Sequence, residues 1–266
     1  MNGGANLKIL AVGDVCSEGG TEFLLKTLPK IKKEYGIDFT VVNGENSSAS
    51  NAISADSAAL IYAAGADVIT GGNHTLHRKD FRPLLDSDDT LLRPDNMPKA
   101  EYGKGYCLYD MGHTRIAVIN LLGQTYLELH EAENPFICAD KLIEKANSDG
   151  ADFILLDFHA EATSEKVAMG LYLDGRVTAV FGTHTHVQTS DCKILKNKTA
   201  YITDLGMTGP EDGVLGVKAD IIIDRFKNGG TARFTHAEGS CVLEGMIIEV
   251  DKASKKAVSA MAIRIK

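Results

Sequence analysis

Five apolar runs along this chain each stop at the same kind of punctuation: a turn carrying a side chain able to ligate a metal. Residues 7–13 lead into Asp14. Residues 39–42 lead into Asn43-Gly44-Glu45-Asn46, and residues 67–70 into Gly71-Gly72-Asn73-His74. Residues 153–158 end at His159, and residues 177–181 run into Gly182-Thr183-His184-Thr185-His186. Short continuous apolar runs bounded by turn signals read as fully buried strands. Between the first three lie two helical patterns: 21–35, with Thr21 as its cap and Gly36 at its end, and 54–64, capped by Ser54 and closed by Gly65. Buried strands joined through helices need crossover connections, which makes the sheet largely parallel. In such sheets ligands bind just outside the carboxyl ends of the strands, where the five polar groups fall.

The remaining segments extend this α/β pattern. Residues 79–85 read as a short helix, and 93–97 as loop because of Pro94, Asn96 and Pro98. Residues 106–109 and 115–122 read as a hairpin through 111–114. Helices are expected over 139–147 and 164–173, short strands over 193–195 and 200–203, and a helix over 214–226. Two long strand-like runs, 241–250 and 257–265, close the chain and imply an antiparallel portion. No repeat, linker or charge block divides the 266 residues, so a single domain over 1–266 is expected, with helices on both faces.

Composition narrows the function classes. A net charge of −8 argues against a broad nucleic-acid-binding surface, but not against a phosphate substrate, since bound cations supply local positive charge. The five cysteines are dispersed and odd in number, which fits a reducing compartment rather than a disulfide framework. The N-terminal apolar run is too short for a secretory signal, and no stretch is long enough to span a bilayer. The expected location is therefore cytoplasmic, with no membrane partner.

Taken singly, the polar turns are weak signals. Gly-Asp and Asn-Gly commonly make plain turns, and a lone histidine such as His159 is usually a hydrogen-bonded structural residue. His184 and His186 are stronger, because positions two apart in an extended segment point to the same side. Jointly, Asp14, Glu45, Asn46, Asn73, His159, His184 and His186 are seven oxygen and nitrogen donors with no thiolate pair. Such a set suits Mn²⁺, Fe²⁺/Fe³⁺ or Mg²⁺, with Zn²⁺ also compatible. Seven donors are too many for one catalytic ion and suit two that share a carboxylate, the clamp used for phosphoryl transfer.

At these residues the sequence resembles the calcineurin-like metallophosphoesterases, and within them the bacterial YmdB-like phosphodiesterases. The segments VVNGENSS, GGNHT, RPDNMP, DFHAEATSEK, GTHTHVQTSD and TDLGMTGP carry the resemblance. It implies a four-layer α/β/β/α sandwich with mixed sheets. It implies one cation on Asp14, Glu45, Asn46 and His186 and another on Glu45, Asn73, His159 and His184. It implies His74 as the catalytic histidine, and hydrolysis of phosphodiesters, including 2′,3′-cyclic nucleotides, by a hydroxide shared between the metals. A phosphomonoesterase or nucleotidase on the same centre is the competing enzyme, and a nucleotide-sensing regulatory protein the competing class. A homo-oligomer is compatible with either.

Three departures stand out. Val15-Cys16-Ser17-Glu18-Gly19-Gly20 replaces a basic, proline-containing turn. Leu76-His77-Arg78 stands where the family tends to place a Trp-Asp pair, removing an acid that could orient His74. Cys16 takes the histidine position of the D-x-H segment, as a soft ligand or, better, in packing. Thr208 and Gly209 line the substrate pocket or make a tight turn. Glu161 and Thr163 are candidates to orient His159, and Asp204 to orient a ligand histidine. His77, His113, His130 and His236 fall outside the constellation as surface or structural residues.

Overall fold

In a computed structural model that describes residues 6–49, 51–98, 101–127 and 132–266, the chain forms two mixed sheets packed face to face. The elements of its first half are β1 (Leu7–Val12), β2 (Asp14–Val15), α1 (Ser17–Tyr35), β3 (Phe39–Asn43), α2 (Ala55–Ala64), β4 (Val68–Thr70), α3 (Arg82–Ser87), β5 (Tyr106–Asp110) and β6 (Arg115–Leu122). There follow α4 (Pro135–Ser148), β7 (Phe153–His159), α5 (Thr163–Leu173), β8 (Ala179–Thr183), β9 (Lys193–Ile194), β10 (Ala200–Ile202), β11 (Met207–Pro210), α6 (Ala219–Asn228), β12 (Cys241–Asp251) and β13 (Lys256–Ile265).

The first sheet runs β2-β11-β12-β1-β3-β4, with β13 also on β12. The second runs β5-β6-β7-β8-β10-β9. β1, β3 and β4 are mutually parallel, as are β6, β7, β8 and β10, so their carboxyl ends gather at one edge of each sheet. Strand side chains alternate between faces, and the core divides accordingly. Ile9, Ala11, Phe39 and Val41 meet Val118, Phe153, Leu155 and Phe181 between the sheets. Leu10, Val12, Val42 and Ile69 instead face Leu24, Leu28 and Ile31 of α1 and Ile61 of α2. Ile119, Leu156 and Phe158 face Cys138, Ala139, Leu142 and Ile143 of α4 and Met169 of α5. The result is the expected four-layer α/β/β/α sandwich.

Several boundaries differ from the sequence reading. Helix α1 starts at Ser17, so Thr21 is no cap; its hydroxyl donates to the carbonyls of Ser17 and Ser47. Gly19 and Gly20 look like helix breakers, but a Cβ on Gly20 would lie 2.3 Å from the Thr208 carbonyl oxygen, so this glycine serves close packing against β11. The helix expected over 214–226 is split. A two-residue turn, closed by paired hydrogen bonds between Val214 and Val217, precedes α6. Helix α2 is as expected, with Ser54 and Ser57 forming a capping box and Gly65 left-handed at φ 106°.

Candidate metal centre

The centre lies at the carboxyl ends of the parallel strands and draws on both sheets. Asp14 follows β1, Glu45 and Asn46 follow β3, Asn73 follows β4, His159 ends β7, and His184 and His186 follow β8. Asp14, Glu45 and His159 are fully buried.

His159 organises one half. Its Nε2 lies 2.7 Å from Glu45 Oε2, 3.1 Å from Asn73 Oδ1 and 3.1 Å from His184 Nδ1. Its other ring nitrogen fixes the tautomer. Thr183 Oγ1 donates to Asp157 Oδ1 at 2.7 Å, so it has no proton left for His159 and accepts from Nδ1–H at 2.9 Å. Once the ring is neutral, Nε2 therefore offers a lone pair, as do the atoms around it. One proton can serve one of these three contacts; a cation would serve all four atoms. Asp14 Oδ1 and Glu45 Oε2 are buried without a hydrogen-bond donor, a costly arrangement that a bound cation would relieve. The ligand atoms of Glu45, His159 and His184 lie within 4.8 Å of one another. Gly72 closes the cradle, since a Cβ there would sit 2.3 Å from both Glu45 Oε2 and His159 Nε2.

The other half contains Asp14, Asn46 and His186. His186 Nε2 is 3.7 Å from Asp14 Oδ1 and 3.4 Å from Asn46 Nδ2. Asn46 turns its Oδ1 to His74 Nδ1 at 3.1 Å, so holding a cation beside His186 requires the amide to rotate and present oxygen there. Asp14 Oδ2 also accepts from the His184 backbone N–H at 3.0 Å, tying the two halves together.

The turn after β8 is not the extended segment expected from the sequence. The φ values of His184 and His186 are 100° and 61°, in the left-handed region. The backbone reversal sends one imidazole to each half rather than both to one point. Asp204 holds this turn, accepting from Thr185 N and Oγ1 at 3.1 and 2.7 Å while pairing with buried Lys166 Nζ at 2.7 Å.

Burial opposes charge throughout the cluster, and ion pairing overrides it selectively. Burial alone would raise Glu45, but His159 holds its carboxyl down to about 2. Asp14 is likewise held low against burial by His186 and His159. His159 stays above the ordinary imidazole value because Glu45 outweighs its burial. His186 is raised, with Cys16 and Asp14 outweighing burial, whereas burial and then the charge of His159 pull His184 down to about 3.

Other expectations are redistributed. Glu161 Oε2 lies 3.0 Å from His184 Nε2, so Glu161 orients His184 rather than His159, and Thr163 simply opens α5. Thr208 and Gly209 sit buried in β11, not in the cleft beside the centre. Thr208 is in register with Val15 and Leu243, which face the α1 core, so strand alternation turns its side chain away from Asp14. His77 stacks on His74 with ring centroids 4.7 Å apart, and His236 lines the cleft. Cys16 packs with Met207 and Val242, while its Sγ lies 3.3 Å from His186 Nδ1. His130 lies outside the described residues. Sequence reasoning misses the network of Asp157, Thr183, Asn43 and Thr70. Its one signal is an acid two residues before His159, on the same face of an otherwise apolar strand.

The family model described as YmdB-like protein matches residues 10–263. The chain belongs to the YmdB-like family. This YmdB-like chain is 45% identical over 259 residues to a Bacillus subtilis (strain 168) protein named 2′,3′-cyclic-nucleotide 2′-phosphodiesterase, covering 97% of each. It also matches the crystal structure of a novel phosphatase from Mycoplasma pneumoniae, with a TM-score of 0.91 and 34% identity, over 98% of this chain and 93% of that one. A hypothetical protein from Thermus thermophilus superposes with a TM-score of 0.89 and 32% identity, over 97% of this chain and 99% of that one. Among the described residues of this YmdB-like chain, no helix is long and apolar enough to cross a membrane.

Proposed function

We propose that this protein is a dinuclear-metal-dependent phosphodiesterase whose substrates are 2′,3′-cyclic nucleotides. A hydrolase acting on phosphoester bonds is supported by the names of its relatives, phosphodiesterase and putative phosphatase/phosphodiesterase. The observation that carries the metal reading is the convergence of lone pairs on His159 Nε2 beside two buried, donorless carboxylate oxygens. Asp14, Glu45, Asn46 and His186 would hold one cation, and Glu45, Asn73, His159 and His184 the other. Manganese or iron suits this donor set best, and magnesium or zinc is compatible with it. Bound there, such ions supply an activated water and offset charge on the phosphoryl oxygens.

The chain's own residues do the rest. Asp157 and Thr183 hold His159 in the tautomer that leaves Nε2 free. Glu45 accepts the His74 backbone N–H, and Asn46 Oδ1 engages His74 Nδ1. That leaves His74 Nε2 for the cleft, where the ring, once protonated against the burial that lowers its pKa, would donate a proton to the departing alkoxide. In the loaded centre the Asn46 amide must turn its oxygen from His74 to the cation, so orientation of His74 falls to Glu45 in a chain without the family's acid after the histidine.

The monoesterase alternative is favoured by the phosphatase half of the Mycoplasma name. Turnover of bis-p-nitrophenyl phosphate and p-nitrophenyl phosphate by manganese-loaded protein separates the two. The diester is expected to be hydrolysed faster, with activity lost on chelation. Faster turnover of the monoester, or activity that survives chelation and metal-free dialysis, overturns the proposal.

A further inference from the structure

The cleft over the centre, of ≈ 440 Å³, has two unlike walls. One carries His74, Asn46, His184 and His186. The other is apolar: Leu215 and Val217 from the turn at 214–217, Ile222 and Phe226 from α6, and Phe234 beyond it. Ile222 and Phe226 are four apart and so share a helix face. We propose that this apolar wall is the nucleobase subsite of the enzyme, an inference that rests on the phosphodiesterase reading.

Three observations support it. First, the wall is tied to the centre, because the Leu215 carbonyl accepts from His186 Nδ1 at 3.2 Å. A ligand whose phosphate reaches the metal ligands therefore has this wall beside it. Second, the wall is exposed where folding would bury it. Phe226 is 85% exposed, Leu215 47% and Phe234 41%. Third, Leu215 is a costly residue for its position. It has φ 53° and Gly216 φ 85°, the conformation of a two-residue turn that favours Asn or Asp at the first site. An exposed leucine held there against its backbone preference points to a use for the side chain.

The chemistry selects the occupant. It must be anionic at one end and flat and apolar at the other, with polar edges that meet His236 and Asn51, which also line the cleft. A nucleobase meets this description, stacking on aromatic faces with little dependence on its sequence identity. An alkyl chain would meet the apolar part alone.

Calorimetry on manganese-loaded protein tests this with three ligands: adenosine 3′-monophosphate, glycerol 2-phosphate and hexyl phosphate. Adenosine 3′-monophosphate is expected to bind about tenfold or more tighter than glycerol 2-phosphate, the contribution of one stacked base. Phe226→Ser and Leu215→Asn, the latter keeping the turn, are each expected to shrink that ratio, and together to bring it near unity. Equal affinities in the wild type, a ratio untouched by both substitutions, or hexyl phosphate matching the nucleotide overturns the subsite. Turnover of bis-p-nitrophenyl phosphate is read separately. Its absence with the nucleotide preference intact sinks the enzyme and leaves the subsite; the reverse sinks the subsite alone.

Discussion

His74 keeps one ring nitrogen committed to Asn46 and turns the other to the cleft, while His159 keeps one committed to Thr183 and turns the other to the ligand cluster. The same device therefore has two consequences. His74→Ala is expected to lower kcat by about 10²–10⁴, the usual contribution of a general acid, with metal content near that of the wild type. Loss of metal on elemental analysis would make His74 a ligand instead. Asp157 acts one bond further out. Asp157→Asn is expected to weaken metal affinity by about 10–100-fold, because the Thr183 hydroxyl is no longer pinned as an acceptor for His159. Burial pushes the Asp157 carboxyl up to about 6 from 3.8, against the pull of His159 and its hydrogen bonds. Across that interval the folded chain keeps a proton that the unfolded chain releases. This residue's contribution to stability therefore falls as pH rises from about 4 to about 6, by about 3 kcal/mol at most. In metal-free protein, the stability deficit of Asp157→Asn should narrow over the same interval in urea titrations. A deficit independent of pH would place the Asp157 proton elsewhere.

At the scale of elements, the turns rather than the strands decide whether the donors meet. The turn after β4 brings its backbone against Glu45 and His159 only because residue 72 has no side chain. Gly72→Ala is expected to reduce metal affinity at least about tenfold, read by calorimetry with manganese. Gly112→Ala is the matching control, since a Cβ there meets nothing within 4 Å although its φ is 89°. It should cost about 1 kcal/mol of stability and leave metal binding unchanged. Equal metal loss in both variants would mean that general destabilisation, not the cradle, is responsible. The turn after β8 works differently, dividing His184 and His186 between the two halves through left-handed backbone held by Asp204.

At the scale of the molecule, the centre is a joint between the two sheets, with Asp14, Glu45, Asn46 and Asn73 from one and the three histidines from the other. Cations held at this joint would favour the folded state; at free manganese about 100 times Kd the gain would be about 2.7 kcal/mol, so Tm should rise on loading and fall on chelation. His159 and His186 hold protons above their ordinary range in the metal-free centre, so loading should release protons and tighten as pH rises. An affinity that does not change with pH would remove these imidazoles from the coordination set. The apolar runs and the glycines beside Asp14, Glu45 and Asn73 were legible in the sequence because periodicity and turn chemistry are local. They specified the α/β layers, the common end of the strands and the donor types. The start of α1, the place of Thr208 in a buried strand, the pairing of Glu161 with His184 and the Asp157–Thr183 network depend on what packs against each residue. A contact between residues distant in the chain leaves no period in its sequence, so only the folded arrangement decided them.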